Sequence, residues 1–160
     1  DAPARTVTAS PGFIAMTIVA LLFAGAVGGA AASFAILGVK AVVDALGNPS
    51  STGFTQLLSS IVSRMFGVLT MWAQAPRDGA IMGAAAGLAV SLADLVALGL
   101  GRRGGLAAWM PLLLLIVAGA VGAAAGSQGV LADFRVWTAA AGALFGLGAG
   151  TAIFWRTSAA

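Results

Sequence analysis

The chain has 160 residues, 60% of them hydrophobic and 8% charged, with a formal net charge of +3 and a mean hydropathy of +1.03. Soluble domains carry about 25% charged residues, so this chain has too little polar surface to cover a soluble fold and is expected to lie in lipid as an all-α integral membrane protein. It contains no His, Cys or Tyr, which excludes His-ligated haem or bacteriochlorophyll, thiolate metal sites, disulfides and His-based proton shuttles, and its few basic residues form no patch that could hold nucleic acid.

The N-terminal stretch DAPARTVTASPGF has no leading Met and lacks the charged region, short apolar core and cleavage site of a secretory signal. It reads as either a processed end or simply the first residue present. The first helix is expected to open at Ser10-Pro11, with Ser as N-cap and Pro at the first helical position. It should run over residues 11–45 and stop before Gly47-Asn48-Pro49, where Pro forbids continuation. That is roughly 50 Å of helix, longer than the ~30 Å hydrocarbon core. Its last turns, with Lys40 and Asp44 four apart, should project into water.

A second helix is expected over residues 54–75. Gln56, Ser59, Ser60, Ser63, Gly67, Thr70 and Gln74 fall on one stripe at helical spacing, with Arg64 at its border and apolar residues elsewhere. The segment either spans, turning that stripe toward protein, or lies in the interface as an amphipathic helix. Spanning is favoured by the tryptophans. Trp72, Trp109, Trp137 and Trp155 all fall at expected helix ends, where interfacial aromatics anchor depth. Phe54 to Trp72 and Trp137 to Trp155 are both 18 residues apart, or about 27 Å of helix, close to one bilayer core.

Ala75-Pro76-Arg77-Asp78-Gly79 reads as a turn, since Pro and Asp-Gly are good turn formers. A third helix over residues 80–101 follows, then a short hairpin at Gly101-Arg102-Arg103-Gly104-Gly105, and a fourth helix over residues 106–125. After a polar link containing Ser127, Gln128, Asp133 and Arg135, a last span covers residues 136–155. The expected architecture is one domain over residues 1–160: a bundle of five transmembrane helices, or of four plus one interfacial helix.

Every expected span carries a small residue at each fourth position: Gly25, Gly29 and Ser33; Ser59, Ser63 and Gly67; Gly79, Gly83, Gly87 and Ser91; Ala118, Gly122 and Gly126; Gly142, Gly146 and Gly150. Joining two apolar helices in lipid brings no hydrophobic gain, so association depends on close van der Waals contact, which small-xxx-small ridges permit. These ridges are expected to pack helices within the bundle or against other subunits. The runs GAVGGAAAS (25–33) and GAVGAAAGS (119–127) are alike, and five spans would set them running in opposite directions, as in an inverted repeat. Their flanks differ and both draw on few residue types, which favours chance likeness.

Ionisable groups inside a span are costly and need explaining. Arg64 falls near the middle of the second helix and Asp94 about 10 Å from the Gly101 end of the third. In antiparallel neighbours an Arg64–Asp94 ion pair could form a polar seam with Ser59, Ser63 and Ser91. The other readings place Arg64 at the interface or Asp94 against a partner subunit. Sidedness is weakly marked: five spans put Arg5, Arg77 and Arg135 opposite Lys40, Arg102, Arg103 and Arg156, which slightly favours the Arg102/Arg103 face as cytoplasmic and the N-terminus outside. With the second helix lying flat, the basic residues divide equally.

No nucleophile–base pair, phosphate loop, dinucleotide fingerprint or metal cluster stands out, so no catalytic, cofactor-binding or metal site is expected. The Ala and Gly bias suggests a GC-rich bacterial genome and hence the bacterial inner membrane. The expected role is a non-catalytic structural or accessory subunit of a larger bacterial membrane complex, of the respiratory, photosynthetic or secretion kind. Its partners would be the lipid bilayer and the other membrane subunits. The alternative is a small transporter or channel component acting as a homo-oligomer, with the second helix's polar stripe and Asp94 lining the pathway.

Overall fold

The computed structural model describes residues 11–47, 56, 58–59, 62–63, 69–104 and 109–158. Four helices carry the fold: α1 (Pro11–Leu46), α2 (Leu69–Gly104), α3 (Trp109–Gly126) and α4 (Arg135–Ser158). A 3-10 helix, Gly129–Phe134, joins α3 to α4. Among the described residues only Gly47, Ser127 and Gln128 are not helical. Each of the four helices has a stretch long and apolar enough to cross a membrane. At its C-terminal end α1 is closed by the Gly47 amide, which donates to the Val43 carbonyl at 2.9 Å.

The turn expected at Ala75–Gly79 is absent: α2 runs unbroken from Leu69 through Pro76, Arg77, Asp78 and Gly79 to Gly104. Turn propensity is a weak preference that tertiary packing overrides. Gly79 is buried against α1, and the Asp78 side chain is held by the link before α4, so both residues are needed on the helix. Pro76 lacks an amide, and apolar surroundings favour keeping the rest of the helical hydrogen bonds over opening a turn. The same helix absorbs Arg102 and Arg103, which were expected in a hairpin. The bounds 54–75 and 80–101 therefore do not stand as two helices meeting at a turn, and Trp72 lies near the start of a helix instead of at the end of one. Residues 48–55 and 64–68 lie outside the described residues, so the expected span over 54–75 is described only at Gln56, Leu58, Ser59, Val62 and Ser63, all helical, and from Leu69 onward.

Neighbouring helices are antiparallel. Gly25 and Gly29 of α1 meet Gly83 and Gly79 of α2, Gly122 and Gly126 of α3 meet Ala86 and Met82 of α2, and Gly119 of α3 meets Gly142 of α4. Rising numbers on one helix thus meet falling numbers on the next. It follows that α1 and α3 run in the same direction, so the two similar glycine runs are not inverted copies. The helix α2 lies between α1 and α3, α4 packs on α3, and α1 meets α4 only lightly. One buried cluster (Ile36, Met82, Ala86, Ala123, Leu131) sits toward the 3-10 end, and another (Val90, Ala93, Leu115) toward the opposite end, with Phe145 against both.

Candidate functional site

Glycine in a helix exposes its backbone, and two such helices can approach until the Cα–H of one points at the carbonyl oxygen of the other. That arrangement recurs here in reciprocal pairs. A Cβ added at Gly25 would strike the Gly83 carbonyl oxygen, and one at Gly83 would strike that of Gly25. Gly29 and Gly79 stand in the same relation, as do Gly119 and Gly142 in the α3–α4 contact. Gly87 faces the Leu21 carbonyl, and Gly146 that of Leu115. The α2–α3 contact is looser in kind: Gly122 and Gly126 face the methyl groups of Ala89 and Ala85 at 2.7 and 2.6 Å from an added Cβ. Gly150 closes the series against the Leu112 side chain.

Ser33 completes the α1 ridge, buried beside Gly79, and Ser91 is buried one turn beyond Gly87. Their hydroxyls donate to their own helices, Ser33 to the Ala30 carbonyl and Ser91 to that of Gly87, both at 2.7 Å. Ser127 and Thr138 are also buried and do the same, to Ala124 at 2.7 Å and Arg135 at 3.0 Å. Ser59 and Ser63 are exposed, and Gly67 lies outside the described residues.

The fourfold spacing in sequence marks Ala118, Gly122 and Gly126 as the α3 ridge and leaves out Gly119, whereas α3 has two small faces, with Gly119 and Ala123 turned to α4. The Gly119-xxx-Ala123 spacing was the available signal. Gly28, beside Gly29, has no atom within 4 Å of an added Cβ.

Arg64 lies outside the described residues, so the Arg64–Asp94 pair does too. Asp94 is half-buried on α2, with no ion-pair partner among the described residues. Asp78 does have a partner: its Oδ2 accepts the Val130 amide at 3.0 Å, and Gly129, at φ +57°, packs against the same carboxylate. A carboxylate on α2 thus caps the 3-10 helix that starts the return into α4. At this end Lys40 Nζ lies 5.2 Å from the centre of the Phe134 ring, a cation–π contact between α1 and the last residue of the 3-10 helix. Trp109 and Trp137 are exposed in the first turns of α3 and α4, at opposite ends of the bundle, while Trp72 and Trp155 lie in α2 and α4 near the helix ends.

Where α1 and α4 fail to close, a crevice of about 100 Å³ remains, walled by Gly28, Gly29, Ala32, Met82, Ala141 and Phe145 among others. Its side chains are all apolar. Compared with models of protein families, with curated proteins and with solved structures, the chain has no match.

Proposed function

We propose that the chain is a four-span protein of the bacterial inner membrane and serves as a non-catalytic accessory subunit of a larger membrane complex. How the bundle uses its interior carries this reading. Among the described residues, helix contacts are backbone-close, the buried hydroxyls donate to their own helices, and the crevice beside α1 and α4 is small and apolar, which supports a packing role over a polar route through that part of the bundle. What remains for partners is the outer surface, where Met16, Phe23 and Val27 of α1 stand exposed. The C-terminal end of α1 and the start of α2 lie at the same end of the bundle.

Mild-detergent extraction from the native membrane followed by native mass spectrometry tests the reading. Unlike subunits in fixed stoichiometry are expected to co-purify. A clean homo-oligomer would refute it and favour the second reading, a homo-oligomeric transporter or channel component. That alternative draws on Asp94, a half-exposed carboxylate within an apolar span, and it predicts that Asp94→Asn abolishes transport.

A further inference from the structure

We infer that the 3-10 link between α3 and α4 is a latch, and that its release lets the α3–α4 hairpin swing away from α1 and open the seam between α1 and α4. The inference goes beyond the accessory role proposed above and rests on the membrane-spanning part of that reading.

The bundle consists of two hairpins whose internal and mutual contacts differ in kind. Within α1–α2 and within α3–α4, glycines meet backbone reciprocally, as Gly29 does with Gly79 and Gly119 with Gly142, so a shift inside either hairpin forces backbones apart. Between the hairpins, Gly122 and Gly126 of α3 first meet the methyl groups of Ala89 and Ala85, and a crevice of about 100 Å³ remains where α1 and α4 fail to close. In lipid, apolar side-chain contacts are exchanged for contacts with acyl chains at no hydrophobic cost. The contact between hairpins is therefore the one that can roll.

The link fastens the two hairpins at one end. Its Val130 amide donates to Asp78 of α2 at 3.0 Å, and the centre of its Phe134 ring lies 5.2 Å from Lys40 Nζ of α1. Its Leu131 is fully buried in one cluster with Ile36 and Met82. A hydrogen bond is costly to leave unmade beside hydrocarbon, so the Asp78 contact holds where methyl contacts do not. At the far end the chain passes from Gly104 of α2 to Trp109 of α3 across four residues, 105–108. That end is the pivot, and the latch end is the one that opens.

The chain has no native Cys, so spin labels on cysteine pairs at exposed positions read the motion by double electron–electron resonance. The full chain is used, in vesicles of phosphatidylglycerol and phosphatidylcholine. Labels replacing Val39 and Val136 span the seam at the latch, labels replacing Met16 and Leu147 span it nearer the pivot, and labels replacing Val27 and Leu88 stay within one hairpin. With Asp78 in place, a minor longer-distance component is expected at Val39–Val136 and none at Val27–Leu88. Asp78→Ala should enlarge that component, and Asp78→Asn, which keeps an oxygen, should enlarge it less. The Met16–Leu147 distance should lengthen less than the Val39–Val136 distance, with Val27–Leu88 unchanged. A single Val39–Val136 distance that Asp78→Ala leaves in place overturns the latch. Equal lengthening of all three pairs is general loosening and overturns the hinged swing. Failure to remain in carbonate-washed vesicles would overturn the membrane reading, and the weak seam with it.

Discussion

Gly28 and Gly29 are adjacent on α1, yet a methyl group should have opposite consequences at the two positions. At Gly29 the new Cβ would strike the Gly79 carbonyl and lie 2.7 Å from the Gly83 Cα. Both obstacles are backbone, so α1 and α2 must part, at a cost of about 1–3 kcal/mol from overpacking. At Gly28 nothing lies within 4 Å, and Ala gains up to about 1 kcal/mol of helix propensity over Gly. Helicity followed through a denaturant titration in detergent should show Gly29→Ala and Gly83→Ala weakened and Gly28→Ala unchanged or strengthened. The double variant Gly29→Ala with Gly83→Ala should cost less than the sum, since helices already parted have less contact to lose. Equal behaviour of the Gly28 and Gly29 variants would contradict the packing. The small-residue ridges were legible because a repeat of four marks a helix face whatever covers it. Which face meets which helix was not: α3 carries Gly119 and Ala123 on one face and Gly122 and Gly126 on another, and spacing alone does not assign a partner to either.

At the scale of elements, the link between α3 and α4 depends on a residue that its own segment does not contain. Asp78 reaches from α2 to accept the Val130 amide, and only a residue without Cβ fits Gly129, which combines φ +57° with contact to that carboxylate. Removing the acceptor in Asp78→Ala leaves a half-buried N–H unpaired, at about 1–3 kcal/mol. Asp78→Asn keeps an oxygen there and should lose less. Hydrogen exchange at the Val130 amide should accelerate most in the Ala variant, less in the Asn variant, and sharply in Gly129→Ala. Uniform exchange across the three would refute the cap. The same residues explain why the second and third expected helices were misjudged. Pro76, Asp78 and Gly79 carry strong turn signals in sequence, but their uses are long-range: Gly79 serves α1, and Asp78 serves a link 52 residues away. Local propensity has no access to either, whereas the start of α1 at Pro11 and its end before Gly47 depended on local signals and were legible.

For the whole molecule, four antiparallel helices place the C-terminal end of α2, the start of α3 and the C-terminal end of α4 together, with the start of α1 at that same end. Gly47, Gln128 and the start of α4 occupy the opposite end. Among residues within the helices, Arg102, Arg103 and Arg156 are therefore set against Lys40, Arg77 and Arg135, so positive charge alone still does not choose a side. Acid placement differs, however: among the described residues Asp44, Asp78 and Asp133 fall at the Lys40 end, and although acidic residues contribute little to orientation, Arg102 and Arg103 stand side by side in the last turn of α2, beyond its apolar span. That favours both chain ends and the Arg102/Arg103 connection on the cytoplasmic side, in contrast to the external N-terminus that five spans would require. Since the chain has no native Cys, single cysteines report on this directly. Cysteines replacing Gly104 and Ser158 should react with a membrane-impermeant thiol reagent only in inverted vesicles, and those replacing Gly47 and Gln128 only in intact cells. Labelling of Gly47 and Gln128 from opposite sides would mean an odd number of crossings between α1 and α4 at variance with this bundle, and would restore the fifth span.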